Sequence, residues 1–255
     1  MWRRLRIAIL LIILASVAQT AWLARTRTAE WRTSLRVVIY PINGDDSPAT
    51  SAYVRALDRE KFDVIETFFE TEAKHFELSS RDPIDTFLAP PIADKPPPPP
   101  FGGSAWQIVL WSLRLRYWAW RHDTHKGPKP DVRLFAIYFD PAKTGTLPHS
   151  TGLQKGMLGL VNVFASADQE GSNAVVITHE LLHTLGATDK YDPATNAPSF
   201  PDGYAEPDAS PRHPQRRAEI MAGRIPITES RSDIPRSLKR VVMGEKTARE
   251  INWTK

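Results

Sequence analysis

Two histidines and a glutamate form a pattern that can bind a metal ion and use it. His179 and His183 are four residues apart, and Glu180 directly follows the first. On an α-helix, residues four apart lie on the same face, so both imidazoles can point at one centre. Two neutral imidazole nitrogens are two of the three protein ligands that a catalytic zinc ion needs. Glu180 is then expected beside the metal, where it can take a proton from a zinc-bound water.

The residues around this pattern predict a helix with one buried face and a sharp end. Ile177, Leu181 and Leu185 lie opposite the histidines on a helical wheel, which predicts that this side packs into a core. Ser172 or Asn173 can cap the start of the helix.

Gly186 can end the helix in the left-handed conformation. The turn that follows can bring Asp189, six residues after His183, back toward the metal. Its carboxylate is therefore a candidate third ligand.

Residues 175–192 resemble the zinc signature of the metzincin peptidases, H-E-x-x-H-x-x-G-x-x-H. Here Asp189 stands at the last position, as in the snapalysin-like variant of that clan. Metzincins also have a methionine turn below the metal, and residues 219–223, with Met221 at their centre, fit that turn. The resemblance implies Zn²⁺ held by His179, His183 and Asp189, above a hydrophobic floor formed by Met221.

The fold implied by the resemblance is α+β. It is a metzincin-like zincin domain with a mixed twisted sheet, an active-site helix and a C-terminal helix. In metzincins the strand before the zinc helix borders the cleft and pairs with an extended peptide. The resemblance assigns that place to Gly159–Phe164.

Two other glutamates remain alternatives for the third ligand. Glu206 or Glu219 could supply it, as in the gluzincin arrangement, where a more distant glutamate completes the site. In the loop between Asp189 and the methionine turn, Tyr191 or Tyr204 could donate a hydrogen bond to a developing oxyanion.

The N-terminal segment predicts a membrane association. Arg3, Arg4 and Arg6 precede Ile7–Ala24, an uncharged run of eighteen residues. Such a run is a signal peptide or a single-pass membrane anchor. The positive-inside rule places the catalytic domain outside the cytoplasm, in a periplasmic or other extracytoplasmic compartment, or free as a secreted protein after cleavage.

We divide the chain into an anchor and juxtamembrane segment, residues 1–34, and a peptidase domain, residues 35–255, with a proline-rich connector at 90–100. Residues 1–36 carry seven arginines and one glutamate, and the remaining residues have a net charge of −2. A nucleic-acid partner is therefore not expected. The chain has no cysteine, which excludes thiol chemistry and disulfides.

Apolar patterning predicts the main elements of the domain. Ser104–Arg121 holds four of the eight tryptophans and predicts a core-facing helix, with contact to a membrane surface as the alternative. The other predicted elements are strands at Leu35–Ile42, Val132–Phe139 and Gly156–Ala165, and helices at Lys61–Leu78 and near Glu245–Trp253.

These observations predict a zinc-dependent peptidase that acts on a peptide or protein substrate, with Glu180 as general base. Two alternatives stay open. One is a zinc hydrolase of a non-peptide amide in the cell envelope, and the other is a non-catalytic envelope binding or scaffold protein with a vestigial zinc site. The sequence does not indicate an oligomeric state.

Overall fold

A five-stranded sheet organises the chain. The computed structural model describes residues 2, 6, 31–100, 102–154 and 157–254. The strands lie in the order β2-β1-β3-β5-β4, and β4 alone runs antiparallel to its neighbour. Their bounds are β1 Leu35–Asn43, β2 Ile84–Leu88, β3 Val132–Phe139, β4 Thr151–Leu153 and β5 Leu158–Phe164.

Helices cover both faces of this sheet. In the described part of the chain they are α1 Pro48–Arg55, α2 Asp63–His75, α3 Ala105–Arg121, α4 Glu170–Leu185 and α5 Glu245–Glu250. The apolar faces of α2 and α4 share one core with one side of the sheet. The buried residues of α3 share a second core with the opposite side. Because β1, β3 and β5 are covered on both faces, they read as nearly continuous apolar runs. The fold is α+β with a mixed sheet.

Four short strands lie near the C-terminal end of the domain. β6 Ala218–Glu219 pairs in parallel with β9 Val241–Val242, and β7 Ile225–Pro226 pairs antiparallel with β8 Ser232–Asp233. These two small sheets flank residues 220–224, which hold all but the first residue of the predicted methionine turn. They fix that turn between the zinc-motif helix and α5.

Most predicted elements agree with the structure to within two residues at each end. The strand predicted at Val132–Phe139 is confirmed, and β1 extends one residue beyond Leu35–Ile42. The helix predicted at Lys61–Leu78 starts later, because Arg59–Phe62 forms a 3₁₀ turn capped by Asp58, and it ends earlier, at His75.

The predicted sheet edge is wrong. Gly159–Phe164 lies inside the sheet, where β5 pairs with β3 on one side and β4 on the other. The edge on this side of the sheet is β4, a strand of three residues that the sequence pattern does not predict. So short a segment shows no alternation by which to identify it.

The predicted N-terminal membrane helix, Ile7–Ala24, lies outside the described residues. Among the residues that are described, no helix has both the length and the apolar content needed to cross a bilayer. Trp31 already belongs to the domain core: it is 1% exposed, its Nε1 donates to the Ile251 carbonyl oxygen at 2.7 Å, and its ring packs edge-on against Trp253.

Candidate metal centre

The helix α4 carries the metal-binding motif and is fixed at both ends. It starts at Glu170, so the predicted cap by Ser172 or Asn173 is wrong. Asn173 instead bonds to β5: its Oδ1 accepts from the Phe164 amide at 3.1 Å, and its Nδ2 donates to the Phe164 carbonyl at 2.8 Å. An asparagine can cap a helix or bridge to a strand, and its type alone does not decide between them.

The far end of α4 agrees with the prediction. Gly186 adopts φ 113°, in the left-handed region, and its amide reaches the carbonyls of the last helical turn. A residue with a side chain would be strained there. The predicted core face is also confirmed, since Ile177, Leu181 and Leu185 are each at most 2% exposed. The opposite face of α4 is thereby left to the two histidines.

Both histidines present Nε2 to one carboxylate oxygen. Oδ1 of Asp189 lies 3.1 Å from Nε2 of His179 and 3.1 Å from Nε2 of His183. The two rings are nearly perpendicular, at 84°, with centroids 4.7 Å apart. The three predicted ligands therefore converge on one point.

The contacts of the two Nδ1 atoms indicate where each imidazole carries its hydrogen. Nδ1 of His179 lies 3.0 Å from the Ile220 carbonyl oxygen, and Nδ1 of His183 lies 2.9 Å from that of Ala187. A carbonyl oxygen only accepts, so each Nδ1 carries the hydrogen. In the neutral tautomer, both Nε2 lone pairs then face the carboxylate. This group is balanced either by a metal ion at its centre or by protons on Nε2 that the histidines donate to Asp189, and backbone carbonyls that orient ligating histidines are usual in metal sites.

The distances suit a tetrahedral metal site. Tetrahedral ligands bound at 2.0–2.1 Å lie about 3.3 Å apart, and the contacts to Asp189 are close to this value. Ligand atoms of His179, Glu180 and His183 also lie within 4.8 Å of one another, a group that could hold a metal ion. Glu180 and Asp189 are thus both near enough to be considered. The equal 3.1 Å contacts to both histidines favour Asp189 as the third ligand.

Glu180 is buried beside the two histidines without using its full hydrogen-bonding capacity. It is 7% exposed, and its Oε2 has no hydrogen-bond partner among the described residues. Burial raises the pKa of Glu180, the two histidines lower it, and the net direction is upward. A buried carboxylate oxygen without a partner is costly in a structural role, so this atom is free to act on a water molecule or a substrate group.

The charges of this cluster also shift the pKa values of Asp189 and His183. Burial raises the pKa of Asp189, but hydrogen bonds from the two histidines hold it well below its usual range. Burial lowers the pKa of His183, and the Asp189 hydrogen bond and the Glu180 charge raise it more, so the net shift is upward. The Asp189 carboxylate therefore stays ionised over the physiological range.

The structure argues against Glu219 as the third ligand. It is fully buried, and its two oxygens accept hydrogen bonds from four donors. These are the amides of Met221, Ala222 and Gly244 and the hydroxyl of Thr247. Glu219 instead ties the methionine turn to α5. The other alternative, Glu206, pairs with Arg217 at 3.2 Å.

The segment of the predicted methionine turn is joined to the centre by hydrogen bonds. Met221 is 0% exposed, and the preceding residue, Ile220, supplies the carbonyl that orients His179. The Lys190 amide donates to the Met221 carbonyl at 3.0 Å, which joins this turn to the Asp189 loop. The turn thus supports one histidine and the carboxylate at once.

An ion pair that the sequence analysis missed holds the Asp189 loop. The Lys190 side chain is 2% exposed, and its Nζ lies 2.7 Å from Oε2 of Glu250 and 2.7 Å from the Thr188 carbonyl oxygen. Glu250 also accepts from the Thr188 amide and hydroxyl. The two partners are sixty residues apart, and no local pattern links them.

We expect Glu250→Gln to lower the free energy of unfolding by about 2 kcal/mol, because buried Lys190 loses its counter-charge. Burial raises the pKa of Glu250, but the bonds from Lys190 and Thr188 lower it by more, so the net pKa is below its ordinary value of 4.5. A lowered folded-state pKa gives stability that is present above pH 4.5 and is lost as the pH falls through the folded value. Urea titrations should therefore give different free energies of unfolding for wild type and variant at neutral pH, and the two values should converge as the pH becomes acidic.

Asp202→Asn is the control for this prediction. Its ion pair with Lys246 is exposed and screened by solvent, so its loss should change stability much less than the loss of Glu250 does. Equal effects of the two variants at neutral pH would contradict a special role for Glu250.

Of the two tyrosines proposed as oxyanion donors, only Tyr191 lies close to the metal-binding histidines. Its ring centroid lies 6.4 Å from that of His179. Burial raises the pKa of Tyr191, and the carboxylates of Asp189 and Glu180 raise it further. The Tyr204 hydroxyl lies 3.2 Å from Nε2 of His213 and is occupied there.

The sheet edge lies against the histidine helix. A Cβ atom built on Gly152 of β4 would be 2.5 Å from Cβ of His183 and 3.0 Å from the Glu180 carbonyl oxygen. Glycine is therefore needed at this close approach. β4 brings a free strand edge next to the candidate metal centre.

A cavity opens beside His179 and Tyr191. It has a volume of about 200 Å³ and is lined by residues that include Val176, His179, Tyr191 and Arg224. A larger cavity of about 810 Å³ shares Val176 and Arg224 with it. Together they give the centre a recess that a side chain of a substrate can enter.

Comparisons with known proteins do not name a family. No family model matches the chain, and no curated protein matches its sequence. The fold is similar to part of a solved structure described as "Structure of a chaperone-substrate complex", with a TM-score of 0.44 and 12% identity. That match covers 86% of this chain and 33% of the other, so this chain spans about a third of the length of its match. Likeness at this level carries no argument about function.

Proposed function

We propose that this protein is a zinc-dependent peptidase of the metzincin type, with the Asp variant of the zinc motif. The observation that carries the proposal is the convergence of His179, His183 and Asp189, with Oδ1 3.1 Å from both Nε2 atoms. The unpartnered Oε2 of Glu180 beside them adds a base. Structural zinc sites use four protein ligands, whereas three ligands and a base favour catalysis.

Each residue has a defined task in this proposal. His179, His183 and Asp189 hold the ion, and the carbonyls of Ile220 and Ala187 orient the two histidines. When bound, zinc acidifies water and polarises the carbonyl that is attacked. Glu180 removes the proton of the attacking water and passes it to the leaving amine. The Tyr191 hydroxyl bonds to the Asp189 carboxylate, and in this proposal it is also the candidate donor to the developing negative charge.

The free edge of β4 supports a peptide as the substrate. The backbone groups of Thr151–Leu153 that face away from β5 can pair with an extended chain, which adds a strand to the sheet. Gly152 contacts both the His183 side chain and the Glu180 backbone, so a paired peptide would run past the candidate centre. This geometry favours a peptide over an isolated amide.

The test is zinc content and peptide hydrolysis by the purified full chain. We expect about one zinc per chain and cleavage of a mixed peptide library, lost with a chelator and restored by zinc. Arg224 lines the recess, so peptides with an acidic side chain next to the cleaved bond should be favoured. Cleavage of cell-wall amides but of no peptide would favour the non-peptide alternative. Folded protein that binds no added zinc would overturn the proposal.

A further inference from the structure

The helix α3 exposes an unusual amount of apolar surface. Across the described residues, eleven large apolar side chains are exposed, and seven of them are in α3. The helix was predicted to face the core, and it does so with Trp111, Leu115 and Ala119. The opposite side remains apolar as well. A helix that only covered a sheet would have polar residues there.

The exposed apolar residues form one continuous stripe. At 100° per residue, six of them fall within about 60° of the direction opposite to the buried face. We call these residues the outer stripe: Trp106, Val109, Leu110, Leu113, Tyr117 and Trp120. Two tryptophans and a tyrosine among the six are side chains typical of a membrane–water interface.

The charges beside the outer stripe are all positive. Arg114 and Arg121 are exposed and lie at about 60–80° on one flank of the stripe, and Arg116 lies at about 80° on the other. No aspartate or glutamate occurs in α3; Asp123 follows the helix but is bonded to Tyr40 and Arg133, and Lys126 and Lys129 come after it. Arginines that flank an apolar stripe can place their stems against it and their guanidinium groups at lipid phosphates.

The same charges disfavour a protein partner made of this chain. Two copies of α3 packed along their outer stripes would bring arginine next to arginine with no acidic residue to compensate. The apolar segment Ile7–Ala24 has arginines at both ends and no acidic residue either. That segment ends seven residues before Trp31, so whatever its conformation its end is tied within about 25 Å of the domain.

We propose that the outer stripe of α3 lies in the interface of a bilayer that contains anionic phospholipid. The six apolar side chains enter the level of the head groups, and Arg114 and Arg121 contact lipid phosphates. This contact orients the domain on the membrane, and it does not depend on the metal centre or on catalysis.

Single-cysteine labelling of the full chain tests this directly, because the native chain has no cysteine. Val109→Cys carries an environment-sensitive fluorophore in the outer stripe. Val64→Cys is the matched control: the two valines are 48% and 47% exposed, and Val64 belongs to α2 on the opposite face of the sheet. Each labelled chain is reconstituted in vesicles of phosphatidylcholine mixed with phosphatidylglycerol, with a lipid-borne quencher.

We expect quenching at position 109 to exceed that at position 64 by at least about three-fold, with a blue-shifted emission. Replacing phosphatidylglycerol by phosphatidylcholine should reduce the difference, and so should Arg114→Glu combined with Arg121→Glu. Equal quenching at the two positions, or no effect of the charge reversal, would overturn the proposal. Shielding of position 109 from both lipid-borne and aqueous quenchers would indicate a protein partner and would overturn it too.

A label at position 109 could disturb the fold, and Leu113→Cys covers that case. Leu113 belongs to the same stripe and is 43% exposed. Because the stripe faces away from the core, the near-ultraviolet spectrum of the buried tryptophans should be unchanged in both variants. Lipid contact at one position of the stripe but not at the other, in folded protein, would contradict insertion of the whole stripe.

Discussion

Zinc binding should weaken by at least about 100-fold when Asp189 is replaced by asparagine. The substitution keeps the size of the side chain and removes the negative charge that both histidines face at 3.1 Å. An amide oxygen is a poor zinc ligand, so two histidines would be left to hold the ion. Competition of the full chain with a chromophoric chelator measures this affinity.

Two variants serve as controls for the Asp189 experiment. Asp208→Asn removes the same charge from an exposed loop position and should leave zinc affinity unchanged. Glu206→Gln tests the more distant glutamate and should also have no effect, because Glu206 pairs with Arg217. Zinc retained in Asp189→Asn but lost in Glu206→Gln would identify Glu206, and not Asp189, as the third ligand.

The parts of the centre that the sequence predicts are those that depend on local geometry. Helix periodicity places His179 and His183 on one face, and the left-handed turn at Gly186 returns the chain toward them. Asp189 follows within three residues of that turn. Each relation spans fewer than a dozen residues, so spacing alone is enough to anticipate it.

The supports of the centre were not predictable in the same way. Lys190 pairs with Glu250, and Glu219 accepts from Gly244 and Thr247, across separations of twenty-five to sixty residues. A charged residue far along the chain gives no sign of its partner before the fold is known. Glu219 illustrates this. As a glutamate it was a candidate metal ligand, but in the fold its buried carboxylate accepts hydrogen bonds instead.

The exposed residues of α3 could not be predicted from its sequence pattern. Its sequence is apolar on nearly every face, which is compatible with full burial or with a second apolar environment. The prediction of a core-facing helix described the side that contacts the sheet. Which residues stay exposed depends on how much of the fold covers α3, and that is a property of the tertiary structure.

The largest change in activity should follow Glu180→Gln, which we expect to lower kcat for peptide hydrolysis by about 10³-fold with zinc still bound. Glutamine has the shape of glutamate but cannot take a proton from water. Glu180 is 7% exposed, and its Oε2 is unpartnered among the described residues, so the substitution should disturb few contacts. Parallel assays of zinc content and hydrolysis on the full chain separate catalysis from binding.

Glu170→Gln is the matched control, since Glu170 begins the same helix but pairs with Lys61 and Tyr53 away from the histidines. It should keep both zinc and activity.

Loss of zinc in Glu180→Gln would make Glu180 a ligand rather than a base, in line with its place in the His179 and His183 group. Wild type that binds zinc but hydrolyses neither peptides nor other amides would favour a vestigial site. A base is needed only if water is activated here, so this one atom separates a peptidase from a zinc-binding scaffold.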